Sequence, residues 1–333
     1  MRLKLHVGHG KTGSSYLQSW LAVNGERLKV DHDVLYPQQC PLTNWLDQRA
    51  GLGQFSMGNG YVLDSVLAED CGPRRCRRWW RRLLRQSGAS AGDLHAVLFS
   101  CEPWARRLPD RFPKLNQLLS VLDLDGADLW LLVRDPLDHA ISVYGQMVKR
   151  HGFQGDLEDW LSVYDFPQVL LRFLERRAEQ GDRITLQVDH YGRQRANLVS
   201  CLLGWLGLPL DAGWSRPVQS SVNRSLTRQE LALIRWLNGV NAQLSVDVAE
   251  RLVNQLPQLH DRAPVPSQAA CEGFVQRWQP VVRQINGMLP DQAQLQLKVP
   301  ELAPSGEQAM PSPWIGLSRE QLSCLLESCG ALG

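Results

Sequence analysis

The chain lacks a zinc-type cysteine pattern and has no long uncharged apolar run. Its eight cysteines are scattered, and no two of them have the C-x₂-C spacing that is typical of zinc sites. A bilayer-spanning helix needs about twenty consecutive apolar residues, and no segment of this kind is present. We therefore expect free thiols, a reducing compartment and a cytoplasmic protein without a signal peptide or a transmembrane segment.

The chain also has little net charge. Its 36 Lys and Arg residues nearly balance 34 Asp and Glu residues, which leaves a formal charge of +2. This excess is too small to indicate nucleic-acid binding by itself. The composition, 44% hydrophobic and 21% charged, is that of an ordinary globular protein.

Short apolar segments alternate with segments of helical periodicity. The predicted strands cover residues 3–7, 96–100, 129–133 and 183–188. Such alternation predicts an α/β fold with a central parallel sheet and helices on both of its faces, followed from Thr227 by a mostly helical C-terminal part. Residues 40–72 have little periodicity, and we interpret them as a long excursion. Because open α/β sheets bind ligands beyond the carboxyl ends of their strands, motifs at those ends are the candidate site.

The first such motif occupies residues 8–15, Gly-His-Gly-Lys-Thr-Gly-Ser-Ser, between a predicted strand and a predicted helix. Glycines let the backbone approach an anion closely, and the N–H groups at a helix start favour negative charge. Lys11 adds a mobile positive charge, and Ser14 and Ser15 add hydroxyl donors. The motif predicts an anion cradle. A plain glycine turn before a helix is the alternative.

The loop is too short for a Walker A motif. That motif places a glycine five residues before the Gly-Lys pair, and the corresponding position here is Leu5. No apolar strand ends in an acid suited to hold magnesium, because Val133 is followed by Arg134. We therefore predict no metal site.

The second motif runs from Arg134 to Tyr144, directly after a predicted strand. An arginine at a strand end can bind a phosphate through two parallel hydrogen bonds, and Pro136 suits the first turn of a helix. Ser142 follows about two turns later. The alternative is that Asp135 caps the helix and that Arg134 forms a surface ion pair.

Together, the two motifs resemble those of sulfotransferases that use 3′-phosphoadenosine 5′-phosphosulfate (PAPS). Residues 11–15, Lys-Thr-Gly-Ser-Ser, are similar to the family's 5′-phosphosulfate loop, which usually reads Lys-[Ser/Thr]-Gly-Thr-Thr. Residues 134–142 are similar to its 3′-phosphate motif, with the same Arg-to-Ser spacing. Residues 17–21 and 146–149 resemble bacterial members linked to glycan sulfation.

The resemblance implies a P-loop-NTPase-like sheet and PAPS as the donor co-substrate. It also implies that Lys11 neutralises the leaving bridging oxygen, that Ser14 and Ser15 hold the 5′-phosphate, and that Arg134 and Ser142 hold the 3′-phosphate. Tyr16 would lie near the adenine. The implied donor-binding residues are Gly10, Lys11, Thr12, Gly13, Ser14, Ser15, Tyr16, Arg134 and Ser142.

An acceptor hydroxyl or amine benefits from a general base. Glu102, in Ser-Cys-Glu-Pro after the strand at 96–100, resembles the glutamate of a Ser-Ser-Glu segment in bacterial sulfotransferases. It is our candidate catalytic base beside Lys11. Pairing of Glu102 with Arg106 or Arg107 is the structural alternative, and His9 is a rival base.

Residues 74–85 form a basic helix in which seven arginines share one side. The arginines are Arg74, Arg75, Arg77, Arg78, Arg81, Arg82 and Arg85. A solvated basic face is one interpretation. Contact with an anionic glycan or a phospholipid headgroup is another, and nucleic acid is disfavoured.

The expected organisation is a sulfotransferase domain over residues 1–290, with an excursion at 37–90 near the acceptor side, and a C-terminal extension over 291–333. The expected acceptor is a carbohydrate or glycan. A P-loop nucleotide or sugar kinase and a non-catalytic glycan-binding module remain as alternatives.

Overall fold

A computed structural model describes most of the chain in two compact units. The described residues are 1–38, 48–51, 56, 58–69, 71–217, 224–256, 264–299 and 316–330. The first unit, here called the sheet unit, comprises Met1–Arg134, Pro167–Val222 and Arg283–Leu295. The second, here called the helical unit, comprises Asp135–Phe166, Asn223–Val282 and Gln296–Gly333.

The sheet unit is built on five parallel strands. They are β1 (Arg2–Val7), β2 (Val34–Leu35), β3 (Ala96–Cys101), β4 (Gly126–Val133) and β5 (Ile184–His190). Their order across the sheet is β2-β3-β1-β4-β5, and every neighbouring pair is parallel. β1 is therefore central, with β3 on one side and β4 on the other, and the segments that follow these three strands meet at one edge.

The helices, in chain order, are as follows. They are α1 (Ser14–Val23), α2 (Gly25–His32), α3 (Gln48–Gly51), α4 (Tyr61–Ala68), α5 (Pro73–Gln86), α6 (Trp104–Arg107), α7 (Phe112–Val121), α8 (Pro136–His151), α9 (Leu157–Val163), α10 (Phe166–Ala178), α11 (Tyr191–Gln194), α12 (Leu198–Leu206), α13 (Arg228–Val240), α14 (Ala242–Gln255), α15 (Gln268–Met288) and α16 (Arg319–Gly330). No helix within the described ranges is long and apolar enough to cross a bilayer.

Burial explains why β1 and α1 hold the centre of the sheet unit. Leu5 of β1 is fully buried and lies in register with Phe99 of β3 and Leu129 of β4. On α1, Leu17 and Leu21 are spaced four residues apart and are both fully buried, as the helical periodicity predicts. These contacts hold the loop between β1 and α1 at both of its ends.

The helical unit has its own core, to which α8, α9, α13, α14, α15 and α16 contribute. Thr227 caps α13, because its side chain accepts a hydrogen bond from the Glu230 backbone N–H and Glu230 bonds back to the Thr227 N–H. Arg224 forms a buried ion pair with the same Glu230 at 2.8 Å. Glu230 therefore completes the cap of α13 and also neutralises the buried Arg224.

The predicted fold class is confirmed, and the segment 40–72, predicted as a long excursion, contains the short helices α3 and α4. Residues 61–68 of that segment form helix α4, which is too short to give a clear periodicity signal. Residues 40–47, 52–55, 57 and 70 of the same segment lie outside the described residues. The predicted division at residue 290 stays a prediction, as does the role of the C-terminal extension.

Candidate functional site

The loop between β1 and α1 has an unusual backbone. Gly10, Lys11 and Gly13 all have positive φ values, of 67°, 49° and 81°. Glycine adopts this left-handed conformation at little cost, but a residue with a side chain does so uncommonly. Backbone strain of this kind concentrates at functional sites, and at Lys11 it falls on the residue that the sequence singles out for chemistry.

Two glycines of the loop are required by close packing. The Gly8 N–H donates to the Cys101 carbonyl at 2.9 Å, and a Cβ on Gly8 would overlap the backbone of Glu102. A Cβ on Gly13 would lie 2.6 Å from Leu198 Cδ1 and would itself require a strained backbone. The loop is therefore pressed against the end of β3 on one side and against α12 on the other.

Two hydroxyls at the start of α1 are buried and lack protein partners. Thr12 is fully buried and Ser14 is 4% exposed. Within the part of the chain that the structure describes, neither Thr12 Oγ1 nor Ser14 Oγ has a hydrogen-bond partner. A buried hydroxyl without a partner costs roughly 1–3 kcal/mol. Located at the positive end of a ten-residue helix, the two groups are suited to a bound anion.

Arg134 joins this loop from the end of β4. Its Nη1 donates to the Lys11 carbonyl oxygen at 3.1 Å, and the side chain is half-buried. The structure thus brings together the two motifs that lie 123 residues apart in the sequence. The alternative, in which Arg134 forms a surface ion pair, stays open beside this contact.

Tyr191 is a site residue that the sequence analysis missed. The Tyr191 ring lies 5.6 Å from the Arg134 guanidinium carbon, a cation–π distance. A Cβ on Gly13 would be 3.2 Å from Tyr191 Cε2. Tyr191 directly follows β5. Its position at the carboxyl end of a strand was the signal that could have identified it.

Glu102 lies beside the glycine loop, and its role as a base stays a prediction. A Cβ on Gly10 would be 3.3 Å from Glu102 Oε1, and the side chain is half-buried. Of its two suggested structural partners, Arg107 instead binds Asp64, with Nη1 2.9 Å from Oδ2. The carboxylate lies against the glycine loop at Gly10, and its pairing with Arg106 stays an alternative.

Two buried histidines lie close to the loop. His9 Nδ1 is 3.2 Å from the Leu132 carbonyl, which can only accept, so Nδ1 carries the proton. His6 is fully buried beneath the loop, and its Nδ1 shares a hydrogen bond with Ser100 Oγ at 2.8 Å. Burial lowers the pKa of His6 to about 4, which keeps this imidazole neutral at physiological pH.

The other predicted site residues lie on helix α1 or at helix α8. Ser15 and Tyr16 are half-buried in the first turn of α1. Ser142 is half-buried on α8 in the helical unit, and its part in the site stays a prediction. Asp135 is the N-cap residue of α8, but its side chain makes no cap hydrogen bond. Its Oδ1 instead accepts from the Gln296 backbone N–H at 2.7 Å.

The described residues contain no cluster of three or more His, Cys, Asp or Glu side chains that could hold a metal ion. The prediction that the protein needs no metal stays a prediction. The seven described cysteines are free thiols.

Among known proteins, some solved structures resemble this chain. No family model and no curated protein matches the chain. A sulfotransferase from Alicyclobacillus acidocaldarius is 13% identical with a TM-score of 0.47, over 86% of this chain and 94% of that one. A sulfotransferase domain from the curacin biosynthetic pathway is 14% identical with a TM-score of 0.35, over 83% of this chain and 96% of that one. At these values the likeness does not define an activity for this chain.

Proposed function

We propose that the protein is a sulfotransferase that moves a sulfuryl group from PAPS to an acceptor hydroxyl or amine. The observation that supports this most strongly is the meeting of Arg134 with the Lys11 loop. The contact joins a loop suited to one anionic group with an arginine suited to a second. A donor that carries a 5′-phosphosulfate and a 3′-phosphate has two such groups.

The buried hydroxyls of the loop fit a donor that carries phosphate oxygens. Thr12 Oγ1 and Ser14 Oγ have no partner in the described part of the chain, so phosphate oxygens would satisfy them. The loop N–H groups and the α1 dipole would add to the same attraction. Arg134, supported by the Tyr191 ring, would hold the 3′-phosphate.

Lys11 and Glu102 would carry out the transfer. PAPS supplies an activated sulfuryl group, and the reaction depends on positioning and on charge stabilisation, as phosphoryl transfer does. The Lys11 ammonium would stabilise the negative charge that develops on the leaving oxygen. The Glu102 carboxylate would accept the proton of the attacking hydroxyl or amine.

A carbohydrate is the acceptor class that we propose, on the basis of the resemblance to bacterial glycan sulfotransferases. The tryptophan side chains lend this little support. Seven of the tryptophans are buried and cannot stack on a sugar, namely Trp20, Trp79, Trp80, Trp104, Trp130, Trp205 and Trp278. Trp236 is 43% exposed.

Calorimetric titration with adenosine 3′,5′-bisphosphate, the desulfated product, tests the proposal. We expect micromolar binding without magnesium, and a loss of at least tenfold in Arg134→Ala. Arg172→Ala is the matched control, because Arg172 is an exposed arginine of α10 that pairs with Asp110. It should bind as the wild type does.

Three outcomes would contradict parts of the proposal. Binding of ATP only with magnesium, and no binding of the bisphosphate, would favour a kinase. Bisphosphate binding without sulfuryl transfer to a panel of hydroxyl and amine acceptors would favour a non-catalytic module. Equal binding by Arg134→Ala and the wild type would remove Arg134 from the site.

A further inference from the structure

Helix α5 has one entirely basic side. Its seven arginines are all exposed, and at about 100° per residue they cover an arc of roughly 160°. The opposite side is buried in the sheet unit. It consists of Cys76, Trp79, Trp80, Leu83 and Leu84, none of them more than 8% exposed.

The positive charge of this face is nearly uncompensated. The helix contains no acidic residue. Among the described residues only one of the seven arginines is in an ion pair, Arg75 with Glu69. Arg77 Nε donates to the Val121 carbonyl at 3.1 Å, which leaves the rest of its guanidinium exposed. A face of this kind attracts an anionic partner, because its positive charges lie close together and add up.

The hydrogen bonds of α5 place it at the end of the sheet opposite to the glycine loop. Arg77 is bonded to Val121, the last residue of α7, from which the chain continues into the start of β4. Ser87, the C-cap of α5, accepts from Lys29 Nζ at 3.3 Å, and Lys29 is on α2, which leads into the start of β2. Both contacts lie at the amino ends of the strands. The glycine loop follows the carboxyl end of β1, about 20 Å away along a six-residue strand.

We propose that the arginine face of α5 binds the protein to an anionic lipid bilayer surface. Four arginines form its central row, Arg74, Arg78, Arg81 and Arg85. Arginine side chains are long and can bend toward an interface, so the flanking arginines can also reach a plane of headgroups. The apolar side of α5 is already buried, so the helix cannot insert it into the acyl region as a free amphipathic helix does. The attachment is therefore electrostatic and salt-sensitive.

The geometry favours a bilayer over nucleic acid or a polysaccharide. A planar surface can meet all seven arginines at once through their long side chains, whereas a helix in the major groove uses only the few side chains that reach base edges. A single polysaccharide chain would meet mainly the central row and leave the outer arginines unmatched. Attachment through this end also leaves the glycine loop facing away from the surface, so it does not block the candidate site.

Vesicle co-sedimentation of the full-length chain tests the proposal. We expect binding to vesicles of phosphatidylcholine with 30% phosphatidylserine at 0.1 M NaCl, little binding to pure phosphatidylcholine vesicles, and release at 0.5 M NaCl. Each basic residue near an anionic surface contributes about fivefold. The triple variant Arg78→Glu, Arg81→Glu and Arg85→Glu should therefore bind at least about 100-fold more weakly.

A charge-matched triple variant is the control. Arg176→Glu, Arg283→Glu and Arg319→Glu change the net charge equally, at exposed arginines outside α5. Both triple variants should keep the wild-type melting temperature, which would reveal a folding defect. Both should also keep the wild-type affinity for adenosine 3′,5′-bisphosphate, which would reveal a failure of the proposed function separately from vesicle binding. Equal loss of vesicle binding in the control would overturn the proposal. Binding to heparin or duplex DNA without binding to the anionic vesicles would also overturn it, in favour of a linear polyanion.

Discussion

Arg134 Nη1 lies 3.1 Å from the Lys11 carbonyl oxygen, so one arginine connects the loop after β1 to the end of β4. The contact restrains the backbone at the residue whose φ is in the left-handed region. Lys11 and Arg134 therefore depend on each other for their positions. In the proposed function, Lys11 stabilises the charge on the leaving oxygen and Arg134 binds the 3′-phosphate.

Replacement of Lys11 by alanine should abolish most of the sulfuryl transfer while the protein stays folded. The loop lysine contributes charge rather than packing, and removal of a group that stabilises developing charge costs on the order of 100-fold in kcat. Single-turnover rates with PAPS, together with a melting temperature, measure the two effects. A transfer rate equal to that of the wild type would refute the role assigned to Lys11.

Replacement of Glu102 by glutamine should lower turnover by about 100-fold or more, because the amide has a similar shape but cannot accept a proton. Affinity for adenosine 3′,5′-bisphosphate should not change. Glu69→Gln, at an exposed glutamate paired with Arg75, is the control and should be fully active. If donor affinity falls in Glu102→Gln with turnover preserved, Glu102 supports the loop and is not the base.

Replacement of Gly8 by alanine should destabilise the sheet unit by about 2 kcal/mol or more. The new methyl group would overlap the Glu102 backbone, and backbone atoms cannot move away as a flexible side chain can. Gly204→Ala is the matched control. Nothing lies within 4 Å of a Cβ there, and an alanine within α12 should stabilise by roughly 0.5–1 kcal/mol. Urea denaturation of both variants measures the difference. Equal stabilities would show that the loop can move away from β3.

The protein should become less stable as the pH is lowered, because of His6. The pKa of His6 is about 4 in the folded protein because of burial, whereas an unfolded histidine titrates near 6.5. Between these values the unfolded chain binds more protons, so the free energy of unfolding decreases as pH falls from about 6.5 to about 4.

The variant His6→Gln isolates this contribution. Between pH 7.5 and pH 5, the wild type should lose about 2 kcal/mol more of its unfolding free energy than the variant does. Urea denaturation at the two pH values gives this difference, in which the other titrating groups cancel. Parallel pH profiles would mean that His6 is accessible to protons in the folded state.

Much of the candidate site could be predicted from local patterns. The loop at residues 8–15, the arginine after β4 and the glutamate after β3 were each identified by their position at the end of an apolar segment. Tyr191 was missed because the predicted strand ended at residue 188, whereas β5 continues to His190, so Tyr191 did not follow a predicted strand end. Helix α4 was missed because eight residues give little more than two turns of periodicity.

The sequence by itself determined the local chemistry of this protein, namely a glycine loop with a lysine and hydroxyls, an arginine-proline helix start and a uniformly basic helix. These features depend on neighbouring residues and on backbone preferences that act over a few positions. The tertiary structure alone decided that Arg134 binds the Lys11 carbonyl, that Glu102 faces Gly10, and that α5 lies at the opposite end of the sheet. These relationships depend on which strands pair, and strand pairing is decided by burial of the whole sheet rather than by any single segment.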